Sequence, residues 1–539
     1  MPDFKLPELS AAASPEFTDG ASCAAWLAEL PLVNVAPSQI RLLDQLEELN
    51  RFDMPAAERL KVLEALREPV YFVQAEQIKK LANKPLPLTK VEHGIFALTA
   101  DLWQALLIGY QRCLMRAAEG KLEGRAALIC QRGLNCVASS MFDHCRVYHA
   151  FPDSYWLDLH QFFQYAEETK QAATAVDDAV RKEGVGCTEV YVRALLLTLA
   201  DPYEQQQKQL MQIYGWLEGW AQHVPVRRSA PEDKNLPPLL LDFSAAAGAY
   251  READAGGRII SRWLDIGELA RKLKRSVVLL RKGESPASLG LGEDCAMPGV
   301  EQLLVLLFRR WCEGKNARLQ TRRSVSAKAK VCSTLASMHF HIAGSKVFRQ
   351  PGHTTELTRR EHDEIATFGR TSTRLEEAFI DAGGYATEEW QLLEESLSGV
   401  RIMRPAALPG ERAGGRYVHT QLIAVRPADA KNFLVGVVRW LRGEENDDLH
   451  LGVRIVPGVP QAVAVRPTGL NTQSEKFVPA LFCPAFPVLD MPPSLILAPG
   501  WYRPKRILEI YTDASALMLL SSVIERGSDF ERVAIEPAP

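Results

Sequence analysis

The sequence predicts an α+β multidomain protein: an all-α N-terminal region, open to a solenoid-like stacking of its helices, then an antiparallel β-barrel domain with a helical insertion. Three observations lead there. The chain has 539 residues, more than one hydrophobic core holds, since roughly one domain per 150 residues is usual. Through the first part, apolar residues recur at the three- and four-residue spacing of amphipathic helices. Beyond residue 320 the spacing falls toward two, as in a half-buried antiparallel sheet.

Composition bounds the function. Hydrophobic residues make up 47% and charged residues 24%, the balance of an ordinary globular protein. A formal net charge of -3 gives no global attraction to nucleic acid or anionic membrane, so anion binding requires a local basic cluster. The opening residues MPDFKLPELSAAASPEF carry acids and prolines and do not read as a signal peptide. The longest apolar runs, from Leu195 and from Leu303, fall short of the roughly 20 residues that span a bilayer. The expectation is a cytoplasmic protein without a membrane span. Ten scattered cysteines without a CxxC pair point to reduced, buried thiols rather than disulfides or a zinc ribbon.

Along the chain, Ser38 is placed to cap a helix striped by Ile40, Leu43, Leu46 and Leu49. A second helix follows Pro55, carries Leu60, Leu63 and Leu66, and is expected to stop at Pro69. Leu102, Leu106, Tyr110 and Leu114 mark a third, and Asp201-Pro202 opens one with Leu210, Ile213, Leu217 and Trp220 on one side. No fixed-period repeat consensus is present. This region spans residues 1–224, and the proline-rich, polar stretch 225–238 reads as a linker. A smaller helical segment follows over 239–315, with helices expected at Trp263 to Leu280 and Val300 to Trp311.

The last domain, 316–539, reads as a barrel with a helical insertion near 350–388 that includes EHDEIATFG. Its first strand lies near SVSAKAKVC. NFLVGVVRWLR and DLHLGVRIV form a hairpin about the acidic turn GEEND, and YVHTQLIAVRP, PQAVAVRP, SLILAP and RILEIYT supply further strands of a small barrel or sandwich.

Signatures of catalysis are missing: there is no phosphate loop, HExxH helix, GxSxG elbow or GxGxxG fingerprint. No catalytic residue, metal site or cofactor is therefore assigned. His339 and His341 would share a strand face, but two histidines without further ligands make no metal site. Glu64-Ala65-Leu66 spells a tripeptide of cyclic di-GMP phosphodiesterases, yet sits within a leucine-striped helix and reads as chance.

Two stretches carry candidate chemistry. In RLQTRRSVSAKAKV, Arg318 and Arg322 stand four residues apart, Arg323 follows directly, and the first strand comes next. In WQLLEESLSGVRI, Glu394, Ser396 and Gly399 fall at the spacing of a [D/N]xSxxG motif. Together with the hairpin from GVVRWLRG to LGVRIVPG, these motifs resemble the PilZ domain family. The resemblance covers roughly the last 220 residues, and the whole layout is similar to large PilZ-domain proteins of type IV pilus and surface-motility control. It implies a six-stranded barrel binding cyclic di-GMP, with the arginines at the barrel mouth and the second motif on the adjoining surface. Arg318, Arg322, Arg323, Glu394, Ser396 and Gly399 are then the ligand residues, and a protein partner is reached through the helical region. The sequence departs from the family at Glu394, where Asp or Asn is usual, and in its longer insertion.

The chemistry of the residues suits such a ligand. A cyclic dinucleotide presents two phosphates and two guanines, and a guanidinium forks onto phosphate, donates to the guanine O6 and N7 edge, and stacks on the base. A carboxylate accepts from the opposite guanine edge. Other readings of the same residues are a basic face capping the preceding helix, and a polar turn. At the level of function the alternatives are an interaction scaffold with a degenerate barrel and a nucleic-acid binder using Arg318, Arg322, Arg323, Lys328 and Lys330, although the chain lacks a wider basic surface or an aromatic stacking motif.

Overall fold

The computed structural model describes residues 2–233, 235–254, 256–313, 322–351, 385–407, 414–468 and 475–539. It divides into two compact units. The first comprises Met1–Lys84 with Leu88–Arg318, and the second Pro85–Pro87 with Leu319–Pro539.

The first unit is built from helices α1 (Gly20–Glu29), α2 (Val35–Arg51), α3 (Ala56–Lys79), α4 (Lys90–Ala118), α5 (Ala126–Arg146), α6 (Ser154–Glu168), α7 (Cys187–Leu199), α8 (Gln207–Trp220), α9 (Gly267–Arg281) and α10 (Gly299–Phe308). Helix α5 is its axis, with almost every side chain from Ala127 to Cys145 buried, packed by α4, α6 and α7. Gly133 allows this closeness to α6, and Gly109 allows the same between α4 and α3. A Cβ on Gly133 would sit 2.3 Å from the Phe162 ring, and one on Gly109 would sit 2.5 Å from Leu63. A charged network crosses α5: Arg132 donates to Asp178 and to Glu64, and Arg67 donates to the same Asp178 carboxylate at 2.6 Å. Burial opposes the charge on Asp178, but its two arginines hold its carboxyl below the usual range. Glu64 of the EAL tripeptide thus belongs to a structural ion network on α3, where it also accepts from Tyr110.

Several local expectations are corrected. Ser38 is no cap: α2 begins at Val35 after Asn34, and the buried Ser38 hydroxyl donates to the Pro31 carbonyl. Pro69 does not end α3, which continues to Lys79 because Val70, Val73 and Ile78 extend the buried stripe; burial outweighs one missing helix hydrogen bond. After Asp201-Pro202 comes a short 3-10 turn, and α8 starts only at Gln207. The first unit is not all-α. A hairpin joins β1 (Val176–Asp178) to β2 (Glu183–Val185), and a four-stranded sheet is formed by β3 (Val226–Arg227), β4 (Leu239–Leu241), β5 (Tyr250–Arg251) and β6 (Arg262–Leu264). Trp263 is consequently in a strand, with its helix beginning at Gly267, and α10 gives way after Phe308 to a π-turn ending at Glu313. Residues 239–312 share one continuous core with the earlier helices through Leu239, Leu269, Leu304 and Trp311, and Trp311 donates to the Leu196 carbonyl.

The second unit contains two closed six-stranded barrels, where the sequence suggests one. The first is formed by β7 (Arg323–Cys332), β8 (Glu388–Ser396), β9 (Gly399–Arg404), β10 (Leu422–Pro427), β11 (Leu434–Gly443) and β12 (Leu449–Ile455) in the order β10-β11-β12-β9-β8-β7. The second is formed by β13 (Gln461–Pro467), β14 (Val478–Cys483), β15 (Ser494–Leu497), β16 (Ile507–Tyr511), β17 (Ser515–Arg526) and β18 (Glu531–Pro537) in the order β13-β14-β15-β18-β17-β16. Counted within each barrel, both rings run first, second, third, sixth, fifth, fourth. Their seam is apolar, drawing Leu422, Ala424, Val435 and Val437 from one barrel and Leu481, Ile496 and Phe530 from the other.

His339 and His341 lie on a short helix, α11 (Leu335–Ile342), capped by Thr334, rather than on a strand. At helical pitch their offset of two puts them on different sides, with His341 hydrogen-bonded to the Tyr385 carbonyl. Most of the expected insertion, including EHDEIATFG, lies outside the described residues. Among the described residues no group of His, Cys, Asp and Glu is arranged to hold a metal ion, and no helix is long and apolar enough to cross a membrane. All ten cysteines are free and buried.

Two predictions test this core. Gly133→Ala drives a methyl into the buried Phe162 ring, so it lowers the stability of the first unit by about 1–3 kcal/mol, whereas Gly215→Ala, with open space around it, raises it by about 0.5–1 kcal/mol; urea unfolding followed by circular dichroism measures both. The second concerns His160. Its Nε2 lies 3.0 Å from the Ala247 carbonyl and its Nδ1 2.7 Å from the Tyr191 hydroxyl. Because a carbonyl only accepts, Nε2 donates to Ala247, and in the neutral ring that burial favours Nδ1 accepts from the Tyr191 hydroxyl. Burial pushes the imidazole down to about 4 from 6.5. The unfolded chain takes up this proton near 6.5 and the folded chain only near 4, so the contribution is complete above 6.5 and is lost as the pH falls toward 4. His160→Gln flattens the loss of stability between those limits, measured by unfolding at a series of pH values.

Candidate functional site

The candidate residues that the structure describes, Arg322, Arg323, Glu394, Ser396 and Gly399, converge on the wall of the first barrel. Strand β7 pairs with both β8 and β10, which closes the ring and holds Arg322, the residue before β7, beside the β8–β9 hairpin. Adjacent strands then form a row by register: Ser324 faces Glu394, Glu394 faces Arg401, Arg401 faces Gly452, and Gly452 faces Trp440. Irregular pairing between Ser324 and Ala327, and between Leu392 and Glu394, re-aims side chains at this end of the sheet.

Glu394 stands at the centre. One oxygen accepts from Arg322 Nη1 at 3.0 Å and the other from Arg401 Nη1 at 3.1 Å. The hydrogen bond from Arg322, ahead of that from Arg401, holds its carboxyl below the usual carboxylate range against partial desolvation, so it is ionised at neutral pH. Arg322 and Glu394 are separated by 72 positions in sequence. The next pair repeats the pattern, with Arg323 donating to Glu395 at 2.5 Å, and Lys328 meets Glu389 at 2.6 Å. Much of the basic character of the β7 segment is thus answered by acids on β8.

Ser396 and Gly399 flank the two-residue turn. Ser396 Oγ donates to the Gly399 carbonyl at 3.1 Å, tying the turn closed and leaving Leu397 92% exposed at its tip. A Cβ on Gly399 would fall 2.6 Å from the Val453 carbonyl, so glycine is required there for β12 to approach. Arg318 lies outside the described residues.

Arg401 and Trp440 in this row, and His450 beside it, were not singled out from the sequence. Arg401 lies over the Trp440 ring, 5.8 Å from its centroid, and its Nη2 is 3.3 Å from His450 Nδ1. Burial pushes the His450 imidazole toward its neutral form, so the guanidinium donates to it. Trp440 reaches this place because Gly452 has no side chain, and a Cβ there would lie 1.8 Å from the indole nitrogen. The signal was the alternation in SGVRI, VVRWLRG and LGVRI, but the pairing that brings these three strands together is not local.

The corresponding places in the second barrel carry no such cluster. The segment before β13 is Val-Pro-Gly-Val-Pro, and the β14–β15 connection exposes Val488 and Leu489. One fold position is charged in the first barrel and apolar in the second.

Comparison with known proteins adds to this geometry. Residues 21–232 match the family model described as the cyclic-di-GMP receptor FimW N-terminal domain, and residues 463–538, the second barrel, match the FimW C-terminal beta-barrel domain. The cyclic-di-GMP receptor FimW of Pseudomonas aeruginosa is 22% identical over 515 residues, covering 87% of this chain and 82% of that protein. On both sides of the barrel that holds the arginine–glutamate row, the chain is therefore similar to the FimW receptors.

Proposed function

We propose that this protein is a cyclic di-GMP effector whose first barrel binds the dinucleotide at a PilZ-type site, and whose helical region relays the result to a protein partner, in type IV pilus or surface-motility control. The observation that carries the reading is the meeting of Arg322 and Glu394 at 3.0 Å across 72 residues of sequence, the juxtaposition that the RxxxR and ExSxxG motifs require. The similarity to a protein named as a cyclic-di-GMP receptor supports it.

The residues have the donors for this ligand. Arg318, Arg322 and Arg323 bring guanidinium groups for phosphate and for the O6 and N7 edge of guanine. Arg401 adds a second cationic platform over Trp440, and its Nε has no partner among the described residues. Glu394 offers the acceptor for guanine N1–H and N2–H. Ser396 and Gly399 hold the turn that carries it. The role is binding, with no reaction assigned. A nucleic-acid binder fits less well, because Arg322, Arg323 and Lys328 are each paired with a glutamate and so attract a polyanion weakly.

Calorimetric titration of the full chain with cyclic di-GMP tests the reading. Arg322→Ala weakens binding by more than about tenfold, since a charge-assisted hydrogen bond contributes about 1.5–3 kcal/mol, and Arg318→Ala acts similarly. Arg322→Lys fails to restore it, because an ammonium neither forks nor stacks. Cyclic di-AMP, which lacks the O6 acceptor, binds at least about tenfold more weakly. If the wild type shows no saturable binding up to about 100 μM ligand, equivalent to about 5–6 kcal/mol, the effector reading fails and the protein is an interaction scaffold.

A further inference from the structure

The position at which the sequence departs from its family resemblance is also the electrostatic hub of the row. Glu394 stands on β8 between β7 and β9, whose neighbouring strands lie about 4.8 Å away on either side. Its two carboxylate oxygens divide between Arg322 and Arg401. Both guanidinium groups would otherwise be available to an anion, and Arg322 is 42% exposed.

We propose that Glu394 is a built-in competitor for the ligand, occupying in the free protein the guanidinium donors of Arg322 and Arg401 that the dinucleotide's phosphate and guanine acceptors must take over. The proposal rests on the cyclic di-GMP reading of this site. It makes Glu394 the residue that sets affinity and gives it two successive partners. Before binding, its oxygens satisfy two arginines. As the ligand arrives, Arg322 exchanges carboxylate for phosphate, and Glu394 is released toward the N1–H and N2–H donors of guanine, a contact that returns less than the two arginine contacts it gives up. No bond is made or broken beyond hydrogen bonds, and total charge is unchanged apart from the ligand's.

The geometry gives reasons to separate this role from a simple ligand contact. A residue that only touched ligand would gain from its charge, because an ionised acceptor makes a stronger hydrogen bond to guanine than an amide does. A competitor loses by its charge. Glutamine keeps the length and one acceptor oxygen while removing the charge, so the sign of its effect discriminates. Aspartate keeps the charge but shortens the reach, so it cannot serve both arginines in the same way.

The test uses the full-length protein with cyclic di-GMP as probe, in wild-type, Glu394→Gln and Glu394→Asp forms. Glu394→Gln is expected to tighten binding about fivefold, the affinity equivalent of an exposed ion pair at the upper end of its range, and Glu394→Asp to tighten it to a smaller extent. Binding by Glu394→Gln where wild type shows none supports the proposal as well. Equal or weaker binding by Glu394→Gln beside a binding wild type overturns it and makes Glu394 a ligand contact or a bystander. A second measurement needs no ligand: exchange of the Arg322 guanidinium N–H protons with solvent, followed by NMR, becomes faster in Glu394→Gln because the ion pair that holds them is released, and unchanged exchange also overturns the proposal. Absence of saturable binding in all three proteins, alongside faster exchange, sinks the cyclic di-GMP reading and the competition with it, and leaves a structural ion pair.

Discussion

Closure of the first barrel by β7 is the constraint on which the site depends. The strand pairs with β8 on one side and β10 on the other, so neither edge is free, and the residue preceding it has one place to enter. Backbone ladders fix strand separation far more tightly than side chains can. Register sets Ser324 opposite Glu394 and so brings Arg322, two residues earlier, within side-chain reach, and the ion pair is a consequence of the sheet rather than its cause. Exposed pairs of this kind contribute about 0–1 kcal/mol, too little to organise six strands, whereas the buried Trp390, Leu392, Ile402 and Val425 remove far more apolar surface from water.

The two barrels separate fold from site. Each closes with the same strand order, so the skeleton that positions an arginine before the first strand and a hairpin after the second exists twice. Only the first copy places arginines and glutamates face to face at those positions. In the second, the segment from Val456 to Pro460 is apolar, and the longer β14–β15 connection carries Phe486, Val488 and Leu489. The apolar seam between the barrels also explains why β10 and β15 are buried on both faces: one face looks into its own barrel and the other into its neighbour.

What was legible in the sequence was local. The change of period near residue 320 separated helices from strands, the hairpin of β11 and β12 was read directly, and the motif spacing pointed to Arg322 and Glu394. What was missed depended on tertiary context. Pro69 reads as a stop on local grounds, but a helix with a buried stripe on both sides of a proline gains more by continuing. Two barrels looked like one because only five residues part Ile455 from Gln461 and no polar linker marks the joint. The sheet of β3 to β6 escaped notice because its strands are two or three residues long, below the length at which alternation can be recognised. Arg401, Trp440 and His450 lie on strands whose pairing is set by barrel closure, and Trp440 in addition needs a glycine on a different strand.

The length of one side chain connects these levels. A carboxylate on the middle of three strands faces neighbours about 4.8 Å away on each side, and the additional methylene of glutamate over aspartate lets the group turn its two oxygens to opposite partners. Arg401 stands at the neighbouring position on β9, and Arg322, two residues before the facing Ser324, reaches Glu394 from the β7 side, so a glutamate at this position is accommodated by the sheet and meets two arginines. Each contact is partly exposed, with Arg401 at 30% and Glu394 at 27%. Water competes for both, so in the proposed binding the arrangement is weak enough for a dianion to displace while still orienting the guanidinium groups. A fully buried pair would be costly to break, and an unpaired arginine would lack that orientation. The row thus lies in the intermediate range of strength that the proposed exchange of partners with a ligand requires, without unfolding the wall that carries it.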